Sequence, residues 1–324
     1  MESKQVTIDD IRLARERIAA VAHRTPLERS RWLSAQHGAD VHLKLECFQL
    51  TGSFKIRGAM AKLSMLSEAE RARGVLTVSA GNHGLAVAHC AEALGLRATI
   101  VVPESASRAK VEAIRRYPVT LIERGANYDE AERAARGMER DTGATFVSPY
   151  NDPEVIAGQG TIGLEILEDS AEIEAVVVPV GGGGLIAGIA IAVKDINPHV
   201  KVYGAEPTAS PSMTAALDAG RIVEIEEEEV TIADGVAGNI EPGSITFPIV
   251  QRLVDGMVLV SEQSIREAIA RVAREDHIII EGAAAVSIAA LGDERIKGAR
   301  VAAIVSGRNL SLDQFVGIVS GFRE

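Results

Sequence analysis

The chain has 324 residues, enough for about two domains at roughly 150 residues per domain. Apolar residues make up 47% and charged residues 24%, which excludes a wholly disordered chain. The net charge of −11 argues against binding to nucleic acid or to an anionic membrane surface. No apolar run is long enough for a membrane helix, and no signal-peptide core follows the N-terminus. Cys47 and Cys90 lack the spacing of a disulfide framework or a zinc site, so we expect a cytoplasmic protein.

Short β-rich runs alternate with alanine-rich helical patterns along the chain. The runs predict strands at 75–78, 98–102, 119–122, 175–180, 201–205 and 301–305. Two of them end in glycine turns, at 81–84 and 181–184, and are followed by helices to about Leu94 and to Ile196. Buried strands separated by helices predict βαβ units and parallel sheets, hence an α/β fold. A further amphipathic helix is predicted over 262–275 with Ser261 as its N-cap, and the acidic run 226–229 is expected to be a solvated edge.

The first candidate site is the glycine run Gly181, Gly182, Gly183 and Gly184, followed by Leu185. Glycines between a strand and a helix let the backbone approach a ligand closely, and the helix N-terminus favours a phosphate. A tight turn without a ligand explains the same glycines. A second alternative is a nicotinamide dinucleotide, because the run up to Ala187 fits the dinucleotide fingerprint and acidic Glu206 ends the next strand.

Three other segments carry possible chemistry. Lys55 lies between Phe54 and Ile56, and burial there would lower its pKa and make the amine a nucleophile. The backbone N–H groups and hydroxyl of the turn at 79–84 suit a carboxylate. Ser306 follows the last predicted strand at the sheet edge where ligands gather, or it caps the helix that begins near Leu312.

Taken together, these motifs resemble the threonine/serine dehydratase and serine racemase family of pyridoxal-phosphate (PLP) enzymes. The resemblance covers nearly the whole chain and rests on the segments 53–59, 79–84, 155–161, 181–185, 205–207, 233–235, 281–283 and 306–309. It implies fold type II, as in the tryptophan synthase β subunit, with two doubly wound parallel-sheet domains and the cofactor in the cleft between them. The large domain would comprise 1–65 and 151–324, and the small, substrate-closing domain would comprise 66–150.

The resemblance also implies a role for each site residue. Lys55 would carry the cofactor and act as the catalytic base, and Phe54 would pack on its ring. The phosphate would bind Gly181, Gly182, Gly183, Gly184 and Leu185, while Asn82, Glu281 and Ser306 would contact the ring substituents and nitrogen. The substrate carboxylate would bind Ser79, Ala80, Gly81, Asn82 and His83. Glu206 would contribute to a monovalent or weakly bound divalent cation.

The activity implied is an ammonia-lyase that converts L-threonine to 2-oxobutanoate and L-serine to pyruvate. Serine racemases carry an acid/base serine where this chain has Ala80, and alanine cannot transfer a proton, so racemisation is disfavoured. Arg308 replaces a glycine of many relatives and could reach an acidic substrate such as 3-hydroxyaspartate, or lie on the surface. The family suggests a homodimer or homotetramer. A chain ending soon after Ser306 is expected to lack the C-terminal regulatory domain of biosynthetic threonine dehydratases, so we expect that isoleucine does not inhibit it.

Overall fold

Ten strands form two separate sheets in the computed structural model, which describes residues 5–225 and 230–322. The acidic run predicted at 226–229 lies outside the described residues. The strands are β1 (Leu27–Arg29), β2 (Asp40–Lys44), β3 (Val75–Val78), β4 (Ala98–Val102), β5 (Thr120–Glu123), β6 (Thr145–Phe146), β7 (Ala175–Pro179), β8 (Lys201–Pro207), β9 (Gly256–Val260) and β10 (Arg300–Ile304).

The larger sheet has six strands in the order β1-β2-β10-β7-β8-β9, and the smaller has four in the order β5-β4-β3-β6. All pairings are parallel except that of the edge strand β1 with β2. The small-sheet strands all lie inside the predicted segment 66–150, and the large-sheet strands all lie outside it. The α/β fold with two parallel-sheet domains is therefore confirmed, and the domain edges stay a prediction.

Helices cover both faces of the sheets. They are α1 (Ile8–Ile18), α2 (Arg31–His37), α3 (Lys55–Ser64), α4 (Glu68–Arg73), α5 (Asn82–Ala93), α6 (Arg108–Arg115), α7 (Tyr128–Thr142), α8 (Pro153–Asp169), α9 (Gly184–Ile196), α10 (Ser212–Ala219), α11 (Thr246–Leu253), α12 (Glu262–Glu275), α13 (Gly282–Ala289) and α14 (Leu312–Val319). Within the described ranges, no helix combines the length and apolar character needed to cross a bilayer.

Small residues let the buried helices α8 and α9 pack closely against each other. A Cβ on Gly188 of α9 would lie 2.3 Å from the carbonyl oxygen of Ile156 and 2.6 Å from the nitrogen of Gly160, both in α8. Every residue of α9 from Gly184 to Val193 is buried. A core of small aliphatic side chains thus brings the two helix backbones together and fixes where α9 begins, which positions the glycine run.

The predicted strands agree with the observed ones to within two residues at their ends. The helix predicted over 262–275 is α12, and the Ser261 hydroxyl caps it by accepting a hydrogen bond from the Ser264 N–H at 3.1 Å. The sequence patterns missed β1, β2, β6 and β9. Strands β1 and β6 have only three and two residues, whereas β2 and β9 are as long as several of the predicted strands. Partners in the sheet, rather than local composition, make these segments strands.

Candidate active site

A cavity of about 960 Å³ opens where the strands of both sheets end. Its wall includes residues that directly follow β3, β4 and β7, together with Ser306 beyond β10. This is the edge at which open α/β sheets bind ligands. The wall brings together these residues predicted from the sequence: Phe54, Lys55, Ser79, Ala80, Gly81, Asn82, His83, Gly181, Gly182, Gly183, Gly184, Leu185, Glu281 and Ser306.

Lys55 is the first residue of α3, and its amine faces the cavity. The Nζ atom donates a hydrogen bond to the carbonyl oxygen of Pro149 at 3.0 Å and lies 5.1 Å from the centre of the Phe54 ring. Burial lowers the pKa of Lys55 to about 8, against a smaller upward effect of the negative charge on Glu281. The amine is therefore available in its neutral, nucleophilic form close to neutral pH.

The glycine run forms a tight turn between β7 and the N-terminus of α9. Gly183 has φ +85°, which favours glycine, and the Thr246 hydroxyl donates to the Gly182 carbonyl oxygen at 2.7 Å. A Cβ on Gly182 would lie 2.4 Å from the Tyr150 ring, so a side chain does not fit there. The first N–H groups of a helix have no intrahelical acceptor, and this turn places them beside the cavity.

Asn82, in the turn at 79–84, forms a hydrogen-bonded group with Glu281 and Asn309. Asn82 Nδ2 donates to Glu281 Oε1 at 2.6 Å, and Asn309 Nδ2 donates to Asn82 Oδ1 at 2.6 Å. The Asn309 N–H donates to Glu281 Oε2 at 3.0 Å. Burial raises the pKa of Glu281 to about 7, although the bond from Asn82 lowers it. The group thus connects α5, in the small-sheet part, to the end of the large sheet.

The turn at 79–84 begins where β3 ends and leads into α5. Ser79 Oγ accepts the Gly81 N–H at 3.1 Å. His83 Nε2 lies 3.0 Å from the Val147 carbonyl oxygen, so Nε2 carries the hydrogen and Nδ1 is a buried acceptor without a partner among the described residues. Burial, reinforced by the charge on Lys55, lowers the pKa of His83 to about 3. His83 is therefore neutral at the wall, where the sequence predicts a contact with the substrate carboxylate.

Ser306 lies on the cavity wall and is buried, and its carbonyl oxygen accepts the Phe54 N–H at 3.1 Å. The alternative role of Ser306 as the cap of the last helix is wrong. Ser311 caps α14 instead, with its hydroxyl accepting the Gln314 N–H at 3.2 Å. Sequence alone could not separate two serines so close together ahead of one helix.

Glu206 and Arg308 lie off the cavity wall. The Glu206 carboxylate accepts hydrogen bonds from the N–H groups of Met213 and Thr214, at the start of α10, and from the Thr214 hydroxyl. Across 5–225 and 230–322, no group of three or more His, Cys, Asp or Glu side chains is arranged to hold a metal ion. A cation at Glu206 stays a prediction. Arg308 is exposed with its guanidinium 5.4 Å from the Phe48 ring, which agrees with the surface interpretation.

Sequence reasoning missed several residues of the wall. Tyr150 packs against the glycine run, Pro149 accepts the bond from Lys55, and Asn309 orients Asn82. Glu132 on α7 and Glu241 ahead of α11 also line the cavity. Their positions depend on chain segments that meet only in the folded state, so no local pattern could reveal them.

Two parallel-sheet domains meet at a cavity that combines a lysine of lowered pKa with a glycine turn at a helix N-terminus, an arrangement typical of α/β enzymes that bind phosphorylated compounds. The chain belongs to the pyridoxal-phosphate dependent enzyme family, whose profile matches residues 18–307. Its fold is fold type II and its cofactor is PLP. This decides against the nicotinamide alternative for the glycine run.

Relatives from other organisms match nearly the whole chain. It is 46% identical to an L-threonine ammonia-lyase of Thermotoga maritima, across 97% of this chain and 78% of that protein. It is 40% identical to the catabolic L-threonine dehydratase of Escherichia coli K12, across 98% and 97% of the two chains. The solved structure of maize serine racemase matches with a TM-score of 0.92 and 35% identity, covering 98% of each chain.

Proposed function

We propose that this protein is an ammonia-lyase that converts L-threonine to 2-oxobutanoate and ammonia, and L-serine to pyruvate and ammonia. The observation that carries the proposal is a half-buried Lys55, with a pKa lowered to about 8, which lines the same cavity as the glycine run at 181–184. Relatives named for threonine deamination, similar over nearly the whole chain, support the same substrates.

The wall of the cavity fits PLP. The turn at 181–185 would hold its phosphate, because the Cβ clash at Gly182 shows that the backbone itself must form this surface. Lys55 would bind its carbonyl carbon, Phe54 would pack on the ring, and Ser306 would face the ring nitrogen. When bound, PLP supplies an electron sink that stabilises a negative charge on the substrate α-carbon. A serine at the ring nitrogen, in place of a carboxylate, suits elimination over transamination.

Lys55 moves the protons of the reaction. Its neutral amine would take the substrate α-proton, and the Pro149 carbonyl oxygen would hold the resulting ammonium in place. The β-hydroxyl leaves as water, and one water returns when the enamine product hydrolyses. The reaction therefore neither consumes nor releases water overall, and each L-threonine gives one 2-oxobutanoate and one ammonium ion.

Ala80 favours elimination over racemisation. It lies on the cavity wall in the turn expected to bind the substrate carboxylate. Its methyl group can neither accept nor donate a proton on the face opposite Lys55. The 3-hydroxyaspartate alternative loses its supporting observation, because Arg308 lies away from the cavity.

We also propose that the predicted small domain, 66–150, closes over the substrate, and that the enzyme works in the cytoplasm as a homodimer or homotetramer. An ion pair between Lys110 on α6 and Asp234 supports closure, because it joins the two parts at the cavity wall. Buried free thiols at Cys47 and Cys90 suit a reducing compartment. Sedimentation velocity tests the oligomeric state.

The test combines a spectrum with a product assay. We expect the purified protein to show the visible absorbance of lysine-bound PLP and to produce 2-oxobutanoate from L-threonine. Lys55→Ala should lose both signals, while Lys297→Ala, an exposed lysine in a surface ion pair, should keep them. If the protein shows this absorbance but converts neither threonine nor serine, the cofactor role of Lys55 stands and the proposed substrates are refuted. D-threonine or D-serine accumulating faster than keto acid, by chiral chromatography, would favour a racemase.

A further inference from the structure

The cavity wall carries an excess of acidic side chains. They are Asp129, Glu132, Glu224, Asp234, Glu241 and Glu281. The basic side chains on the described wall are Lys55, which the chemistry requires, and Lys110, which is paired with Asp234. The backbone turn at 79–83 accounts for one substrate carboxylate. The described wall offers no arginine and no uncommitted lysine to a second one.

Glu132 and Glu241 approach the cavity from opposite sides of the cleft. Glu132 belongs to α7, which packs on the small sheet, and Glu241 lies in the segment before α11. Asn151 Nδ2 donates to Glu241 Oε1, and the Glu241 N–H donates to the Tyr150 hydroxyl at 3.0 Å. Tyr150 and Asn151, at the boundary between the two predicted domains, therefore hold Glu241 at the wall.

Glu132 is only partly neutralised. It forms an ion pair with Arg136 at 3.6 Å, and that guanidinium also donates to Glu139 at 3.1 Å and stacks on Phe146. Burial raises the pKa of Glu132, Arg136 opposes this, and the negative charges of Glu241 and Asp129 raise it further. Both carboxylates line the same cavity, and the negative charge of Glu241 contributes to raising the pKa of Glu132.

We propose that Glu132 and Glu241 make the cavity selective for amino acids with uncharged side chains, by repelling a second substrate carboxylate. A carboxylate entering this space would lose water and meet like charge, with no uncommitted cation on the described wall to compensate. Rejection of a competitor through unfavourable contacts is a recognised source of specificity. The inference rests on the proposed function for the identity of the reaction, but concerns which side chains the site accepts.

The test compares matched pairs of ligands in the PLP-loaded enzyme. Turnover is measured with L-threonine and L-threo-3-hydroxyaspartate, and binding is measured by calorimetry with L-alanine and L-aspartate. In each pair, the second member carries the extra carboxylate. The variants are Glu132→Gln, Glu241→Gln and the double variant. The control is Asp141→Asn, an acidic residue of the same helix that does not line the cavity.

The wild type should prefer the neutral member of each pair. Each glutamine substitution should narrow the ratio of kcat/KM values and the ratio of Kd values by about tenfold, the size expected of one like charge several ångströms away in a partly buried site. The control should keep the wild-type ratios.

Equal binding of L-alanine and L-aspartate by the wild type would overturn the inference, as would unchanged ratios in the double variant. If threonine is inert while calorimetry still separates alanine from aspartate, the proposed function fails and the selectivity stands. If threonine is deaminated and the ratios do not respond to Glu132 and Glu241, the function stands and the selectivity fails.

Discussion

Lys55 and Arg57 lie two residues apart at the start of α3, and they are cationic side chains in different surroundings: Arg57 is buried, whereas Lys55 is half-buried at the cavity wall. Arg57 is 1% exposed, and its guanidinium donates to both carboxylate oxygens of Glu46 and of Glu165 at 2.7–2.8 Å. Its remaining bonds reach the Thr161 hydroxyl and the His23 carbonyl oxygen, each at 3.0 Å. Lys55 has the Pro149 carbonyl oxygen and, among the described residues, no carboxylate within ion-pair distance.

The pKa values of the two groups shift in opposite directions. Although burial lowers the pKa of Arg57, the charges of Glu46 and Glu165 raise it above the ordinary value. Burial lowers the pKa of Lys55 to about 8, and Glu281 compensates only in part. Lys44, whose amine donates to Glu165 at 2.6 Å, completes a buried network of two cations and two anions around Arg57. Paired charges therefore hold Arg57 in place at the start of α3, whereas the charge of Lys55, two residues earlier, is compensated only in part.

Arg57→Met should have the largest effect on stability. It leaves Glu46 and Glu165 buried without their main cation, and breaking a buried pair from one side costs about 3–5 kcal/mol. Urea unfolding of the cofactor-free chain measures the free energy of unfolding. Arg133→Met, an exposed arginine on α7, is the control and should change it by less than about 0.5 kcal/mol. A loss below about 1 kcal/mol for Arg57→Met would show that the network is not balanced as described.

Glu281→Gln should change how the stability of the cofactor-free chain depends on pH. The pKa of Glu281 is about 7, above the ordinary value of 4.5, so the folded state binds this proton more tightly than the unfolded state. Its contribution is complete below about pH 4.5 and is lost as the pH rises through 7. The stability of the wild type relative to the variant should fall by about 3 kcal/mol over this window, since one pKa unit corresponds to about 1.4 kcal/mol.

The bonds that the glutamine amide makes less well than the carboxylate add an offset that does not vary with pH, so the slope is the diagnostic quantity. Glu16→Gln, at an exposed position on α1, provides the baseline and should show no such slope. If the difference in free energy of unfolding between the wild type and Glu281→Gln does not change with pH, the raised pKa of Glu281 is contradicted.

Lys55→Met should stabilise the cofactor-free chain at neutral pH. The folded pKa of about 8 lies below the ordinary 10.5, so holding the buried charge costs stability below about pH 8. That cost disappears as the pH rises from 8 to 10.5. We expect a gain on the order of 2 kcal/mol at pH 7, because the amine keeps some contact with solvent, and no gain near pH 10.5. Thermal unfolding against pH measures it, with Lys297→Met as the exposed control. A Lys55→Met chain less stable than the wild type at pH 7 would contradict the comparison.

The candidate site was largely predictable because its strongest signals are local. A glycine run between an apolar strand and a helix predicts a backbone cradle wherever it occurs, and the turns at 81–84 and 181–184 are both found there. Glu206 and Arg308 were harder to place. A carboxylate at a strand end can serve a cation or a helix N-terminus, and only the position of α10 decides that Glu206 bonds to Met213 and Thr214.

The sequence by itself determined the parallel α/β architecture, the two glycine turns that follow strands and the apolar neighbours of Lys55, because each depends on neighbours along the chain. Only the tertiary structure decided the charge environment of the site. Glu281 meets Asn82 across 199 positions of sequence, and Arg57 meets Glu165 across 108. Burial and Coulomb interactions depend on distances in space, so the pKa values of Lys55 and Glu281 and the acidic wall formed by Glu132 and Glu241 are properties of the fold.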